Sequence, residues 1–285
     1  MENILEINGL NKHYEGFDLK DVSFSLPRGF IMGFIGQNGS GKTTTIRSIL
    51  NMANIDSGKI TVMGLDSIND AKKIKGKTGV VFDSLYFAEH LNVKQIESQL
   101  CGFYEGWDKE GFFKRIKDFS LPDNRKVGDF SKGMKMKLMI AASLSHGAEL
   151  IILDEPTSGL DPVARDELLD ILYEFIQDEN RGVLFSTHIT ADVEKIADYI
   201  TVMHGGKVWF TGAKDELLEK YVVLKGDEAD LPEEIKKECI GFHRYPQGFD
   251  AMCEAQKAVN IPKEIESEKA TLDEMLVYIA KEAKK

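Results

Sequence analysis

Cysteine is scarce: Cys101, Cys239 and Cys253 are the only three in 285 residues, with no C-x-x-C spacing among them. That odd, scattered set excludes a disulfide framework or zinc site readable from spacing, and it fits a reduced compartment. Long apolar runs are missing too, and none approaches the roughly 20 residues needed to cross a bilayer. Work at a membrane would therefore need spans from another chain. The opening MENILEINGL has no basic stretch followed by an apolar core, so no targeting segment is expected there. No long Lys/Arg tract occurs, and the net charge of −11 opposes affinity for phosphate backbones. Nucleic acid is not an expected partner. Internal repeats and low-complexity tracts are also missing.

What is present is ordinary globular material, 42% hydrophobic and 29% charged, long enough for one large domain with an appendage or for two modest ones. Its chemistry centres on GQNGSGKTT, formed by Gly36, Gln37, Asn38, Gly39, Ser40, Gly41, Lys42, Thr43 and Thr44. The apolar run 30–35 before it reads as a buried strand, and a helix is expected after it. Gly36, Gly41, Lys42 and Thr43 fit G-x-x-x-x-G-K-[ST] in that strand-to-helix context. Small residues there let successive backbone N–H groups face an anion, and the helix N-terminus adds further N–H groups and its positive dipole end. Lys42 is then placed for β- and γ-phosphates and the Thr43 hydroxyl for Mg²⁺.

Either side of this loop the chain reads as alternating strands and helices. Leu5 and Ile7, then Val22, Phe24 and Leu26, show the period of half-buried strands. Tyr14 lies between them in a short polar segment and is either a loop-packing residue or a platform for a purine. Residues 58–64 and 79–82 read as strands. From about Leu91 to His146 the apolar spacing turns helical, which predicts a helical subdomain inserted between two strands. The run 150–153 ends in Asp154-Glu155, an acid pair at a strand end where a second Mg²⁺ contact is expected. Asp161-Pro162 starts a helix as cap and first-turn proline, with Leu168, Leu172, Phe175 and Ile176 as its buried stripe. A strand over 182–186 leads into Thr187-His188, and Gly205-Gly206 reads as a tight hairpin turn. Beyond Tyr221 the sequence predicts a strand at 221–224, an acidic helix over 231–240 and a final helix opened by a Thr271/Glu274 capping box.

Taken in order, these pieces resemble the nucleotide-binding subunit of an ABC transporter. Phosphate loops occur in kinases, GTPases and helicases. What narrows the match is Phe130-Ser131-Lys132-Gly133-Met134 preceding LIILDEPTSGLDP and then FSTH, similar to that family's signature loop, acid-bearing strand, D-loop and H-loop. The resemblance covers residues 1–220. It implies an α/β P-loop NTPase fold with an N-terminal antiparallel β subdomain and a helical subdomain at about 84–146, leaving 221–285 as a small C-terminal α+β extension. It also implies ATP and Mg²⁺ as cofactors, and a head-to-tail homodimer with each ATP held between one phosphate loop and the other copy's signature loop. On that likeness Tyr14 stacks on adenine, and Thr43 and Asp154 hold Mg²⁺. Glu155 polarises the attacking water and His188 contacts the γ-phosphate. Ser131 and the Gly133 backbone close the cage from across the interface, and Asp161 communicates between the two sites.

Two departures from the family pattern stand out. Asp83 occupies the place of a usual Gln after the strand ending in Phe82; it is either a Mg²⁺ ligand or only a cap on the following turn. Lys132 and Met134 replace Gly and Gln of the common signature, and Lys132 is either a solvated charge or an added cation near the γ-phosphate. Signatures of this kind are similar to those of bacterial ATPases serving drug, antibiotic or lipid exporters. The resemblance therefore implies an ATPase on the cytoplasmic face of the membrane, driving a separately encoded permease, with an exporter as the expected direction. A soluble ATPase of this type acting on ribosomes or DNA, and a regulator with little hydrolysis, are the alternative readings.

Overall fold

The computed structural model describes residues 2–259 and 261–282. The outermost residues of the expected domains, Met1 and 283–285, lie outside that range. The chain divides into two compact units, Met1–Val208 and Trp209–Lys285. That division falls upstream of the sequence-based limit at 220.

In the first unit, β1 (Asn3–Tyr14) and β2 (Phe17–Pro27) pair antiparallel, with Ile7 opposite Phe24 and Leu10 opposite Val22. Next come β3 (Ile31–Ile35), α1 (Lys42–Ile49), β4 (Ser57–Val62) and β5 (Leu65–Asp66). The strands β2, β1, β4 and β5 form one sheet in that order. After α2 (Ala71–Gly76) and β6 (Thr78–Val81), the helices α3 (Val93–Leu100), α4 (Lys109–Asp118) and α5 (Lys132–Leu144) intervene before β7 (Leu150–Asp154). The helical insertion expected between two strands is thus present. Then follow α6 (Pro162–Phe175), β8 (Gly182–Thr187), α7 (Thr190–Ile196) and β9 (Tyr199–His204), and β10 (Lys207–Ala213) begins before the division at Val208 and ends after it. The second sheet runs β10-β9-β3-β8-β7-β6, and β9, β3, β8, β7 and β6 are parallel.

The patterns explain the two sheets. Every residue of β3, β7 and β8 is buried, as continuous apolar runs require when both faces of a parallel sheet are covered. One core joins both sheets: Ile7, Leu10 and Phe24 pack with Phe34, Ile46 and Leu184, and the Phe24 and Phe34 rings lie 5.2 Å apart. The helical insertion has its own core around Ile96, Phe112, Ile116 and Leu138.

The second unit carries α8 (Lys214–Lys220), β11 (Tyr221–Gly226), α9 (Glu233–Glu238), β12 (Ile240–Tyr245), β13 (Gly248–Glu254), β14 (Glu266–Lys269) and α10 (Leu272–Glu282). Its antiparallel sheet has the order β12-β13-β11-β14. The acidic helix expected over 231–240 is shorter than its pattern: Pro232 caps it, and Ile240 is drawn into pairing with Met252. The Thr271/Glu274 capping box is formed in both directions, at 2.9 and 3.3 Å.

Candidate active site

The phosphate loop hangs between β3 and α1, and its glycines are needed for space as well as for dihedral freedom. Gly36 has φ 153°, and a Cβ there would lie 2.3 Å from the Met203 carbonyl oxygen. Gly41 has φ 110°, and a Cβ would meet Leu19 at 2.6 Å and the Phe17 ring at 3.1 Å. The end of the β1–β2 hairpin therefore lies against the loop. Tyr14, paired with Phe17 across that hairpin, is 42% exposed with the Lys12 ammonium 5.2 Å over its ring. A second brace comes from the Gly205-Gly206 turn, with φ of 53° and 75° as a tight hairpin needs, whose Gly206 N–H donates to the Ser40 carbonyl at 3.1 Å.

Lys42 is buried and curls back over the loop, donating to the Gly36 carbonyl at 2.6 Å. Its ammonium also stands 3.3 Å from Glu155 Oε1. The Ser40 hydroxyl is buried with no hydrogen-bond partner, a polar group whose satisfaction must come from whatever fills the loop. Gln37, Asn38 and Gly39 are exposed, and Thr43 and Thr44 are half-buried at the start of α1.

The acid pair comes off the end of β7. Asp154 is buried and its Oδ1 accepts from the Ser186 hydroxyl at 2.7 Å. The Glu155 backbone sits at φ 52°, left-handed and costly for a residue with a side chain. Its N–H donates to Ser186 Oγ and to the Ser186 carbonyl, both at 3.1 Å. That turn aims the carboxylate at two groups: Oε2 lies 2.7 Å from His188 Nδ1, while Oε1 faces Lys42. Three predicted residues from three elements thus meet at one carboxylate. Ser186 is the member that sequence reasoning missed. Its signal was its place in FSTH at the end of an apolar strand; the β7–β8 pairing sets it directly opposite Asp154.

Asp161 caps α6, accepting from the N–H groups of Val163 and Ala164 at 3.0 Å. Beneath it Asp192 is buried beside Arg165, 3.7 Å away, and burial pushes its carboxyl above the usual range despite the opposing Thr157 hydroxyl and Arg165 charge. Ser131 caps α5, accepting from Met134 N–H at 3.3 Å, and Gly133 packs near Ala164. Lys132 lies along Gly159 of the chain's own 156–160 loop. Asp83 is exposed and lines a cleft of about 350 Å³ with Ser84, Glu89, Lys132 and Lys135. Among the described residues neither Asp83 nor Ser131 shares a hydrogen bond or ion pair with the Lys42–Glu155–His188 group.

For Mg²⁺, the donor set is of the right chemistry: a hydroxyl at Thr43 and a carboxylate at Asp154 whose Oδ1 is already oriented by Ser186. No group of three or more His, Cys, Asp or Glu suited to a metal occurs among the described residues. A cation at Thr43 and Asp154 would therefore take its other oxygens from phosphate and water.

This constellation can bind a polyphosphate and orient a water against it. The comparisons agree with the geometry. Residues 19–158 match the family model described as ABC transporter. The ABC transporter ATP-binding protein NatA of Bacillus subtilis is 36% identical over 70% of this chain and 84% of its own length. The bacitracin transport ATP-binding protein BcrA of Bacillus licheniformis is 32% identical over 73% of this chain and 69% of its own. A solved ATP-binding subunit of an ABC transporter superposes with a TM-score of 0.69 at 29% identity, over 75% of this chain and 91% of that one. Phosphate loop, acid pair and histidine stand on an α/β P-loop NTPase fold, and the chain belongs to the ABC transporter family as one of its ATP-binding, ATP-hydrolysing proteins.

Proposed function

We propose that this ATPase drives a separately encoded membrane permease by clasping ATP between two copies of itself, with residues 1–220 as the nucleotide-binding domain and 221–285 as an accessory extension. The observation that carries this reading is the separation of the site's parts. Lys42, Asp154, Glu155 and His188 converge within one chain, while Ser131 caps a helix of the insertion and shares no bond with them among the described residues. A second copy, head to tail, supplies the missing Ser131 and Gly133.

In that arrangement the phosphate loop and Lys42 hold the β- and γ-phosphates, Tyr14 stacks on adenine, and Thr43 with Asp154 holds Mg²⁺, which spreads the charge of the transferred group. Glu155 takes the proton of the attacking water, and His188 keeps that carboxylate in line while reaching the γ-phosphate. Phosphoryl transfer needs such positioning and neutralisation more than covalent chemistry. Asp83 is assigned as a further oxygen ligand of that Mg²⁺, and Asp161 to communication between the two sites.

The permease face is assigned to an apolar recess of about 340 Å³ beside the edge strand β6, lined by Ile49, Leu50, Ile74, Val80, Phe82 and Tyr104. Open apolar surface is where a protein partner can seat. No described helix is long and apolar enough to cross a membrane, so the spans belong to the partner. Placement on the cytoplasmic side and export as the direction rest on the likeness of the Ser131–Met134 signature to those of exporter ATPases; the relatives named for bacitracin transport support transport as such.

Complementation tests the clasp. Lys42→Ala and Gly133→Arg chains, each inactive alone, regain ATPase activity when mixed, because one of the two pockets then draws on an intact half from each chain. No recovery in the mixture, with wild-type activity strictly proportional to protein at great dilution, overturns it. Co-purification with an integral membrane protein rather than with ribosomes or DNA checks the partner.

A further inference from the structure

Outside the nucleotide site, the second unit holds a chemistry that residue spacing does not reveal. Cys239 and Cys253 are both buried, at 7% and 0% exposure, in one core cluster with Leu231, Ile235 and Phe249. Strands β12 and β13 are antiparallel with Ile240 opposite Met252. Continuing that register one residue outward sets Cys239 opposite Cys253. Residues directly opposite in an antiparallel pair point to the same face, with Cα atoms about 4.5–5.5 Å apart, inside the range of about 4.4–6.8 Å that a disulfide spans. The two side chains share that cluster closely enough for Cys239 to act on the Cys253 thiol. The single Cys239 S–H has a second acceptor within reach, the Ile235 carbonyl at 3.3 Å at the end of α9, so it is shared between that oxygen and Cys253.

We propose that Cys239 and Cys253 are a dithiol modification site that closes to a reversible disulfide when the chain meets a peroxide. One sulfur, as thiolate, attacks a peroxide oxygen. The O–O bond breaks, water leaves and a sulfenic acid remains. The other sulfur then attacks it, the S–S bond forms and the S–O bond breaks with loss of a second water. Two electrons pass from the sulfurs to the peroxide, and both thiol protons end in water. A small thiol reductant reverses the step by exchange. Cys239 and the nearby Lys257 ammonium hold the Cys253 thiol below its ordinary range against burial and the charges of Glu238 and Glu254, while Cys239, at 7% exposure against 0%, is the more accessible sulfur of the pair. The bond would tie the end of α9 to β13 and close the hairpin between residues 239 and 253.

The test uses the full chain carrying Cys101→Ser, since Cys101 is exposed and free to link copies. After treatment with hydrogen peroxide, the chain is denatured, alkylated with iodoacetamide and weighed intact. The expected result is no alkylation, a mass lower by two hydrogens, and recovery of two alkylated thiols after dithiothreitol. The bridged form should also unfold at a higher temperature than the reduced form, a rise that Cys253→Ala abolishes. Recovery of two free thiols under conditions that bridge the unfolded chain, or added oxygen on sulfur without a bridge, overturns the proposal.

Discussion

Glu155 faces His188 Nδ1 at 2.7 Å through one carboxylate oxygen and the Lys42 ammonium at 3.3 Å through the other. A single side chain therefore links the phosphate loop, the acid-bearing strand and the histidine loop. Its left-handed backbone is the local strain that makes this aim possible.

Glu155→Gln keeps the shape but has one acceptor oxygen where the carboxylate has two, and it cannot take a proton. ATP hydrolysis should fall by about 10²–10⁴, with nucleotide binding retained in a direct titration. Near-normal turnover would remove Glu155 from the proton transfer.

Ser186→Ala removes the hydroxyl that donates to Asp154 and accepts from the Glu155 N–H. The Glu155 N–H keeps the Ser186 carbonyl, but leaving the buried Asp154 oxygen unpaired costs about 1–3 kcal/mol, so denaturant unfolding should shift to lower concentration. With Asp154 no longer oriented, half-maximal ATPase activity should also need more Mg²⁺. A normal Mg²⁺ titration would confine Ser186 to stability.

Gly36→Ala forces a side chain into a positive-φ position and against the Met203 carbonyl. Backbone cannot yield as a flexible side chain does, so the expected loss exceeds about 1 kcal/mol. Thermal unfolding and ATP binding report it together. Gly39→Ala, strained by φ 80° but meeting nothing within 4 Å, should cost less.

In the second unit Glu228 is held down to about 2 by hydrogen bonds from Arg244 and Lys236. A carboxyl whose folded value is depressed stabilises the fold above its ordinary value of 4.5, and that contribution is lost as pH falls from there through about 2. Arg244→Ala should therefore lower stability most at neutral pH. The gap from wild type should narrow on acidification through that window. A gap that widens in acid would refute the assignment.

Much of this protein is set by local order in its chain. GQNGSGKTT declares a phosphate loop because glycine freedom and the strand-to-helix step are properties of neighbouring residues. The apolar runs 30–35 and 150–153 announce buried strands in the same way, and the 91–146 spacing announces helices. Asp161-Pro162 and Thr271/Glu274 name their own caps. Tertiary structure alone decided what these pieces face. It brought Lys42, Glu155 and His188 to one point, put Ser186 under the acid pair, laid Lys132 along Gly159 and set Cys239 beside Cys253. It also cut the 231–240 helix short, because pairing of Ile240 with Met252 outweighed a local helical pattern. Those contacts join residues far apart in the chain, and their geometry depends on strand order and register, which no short window of sequence contains.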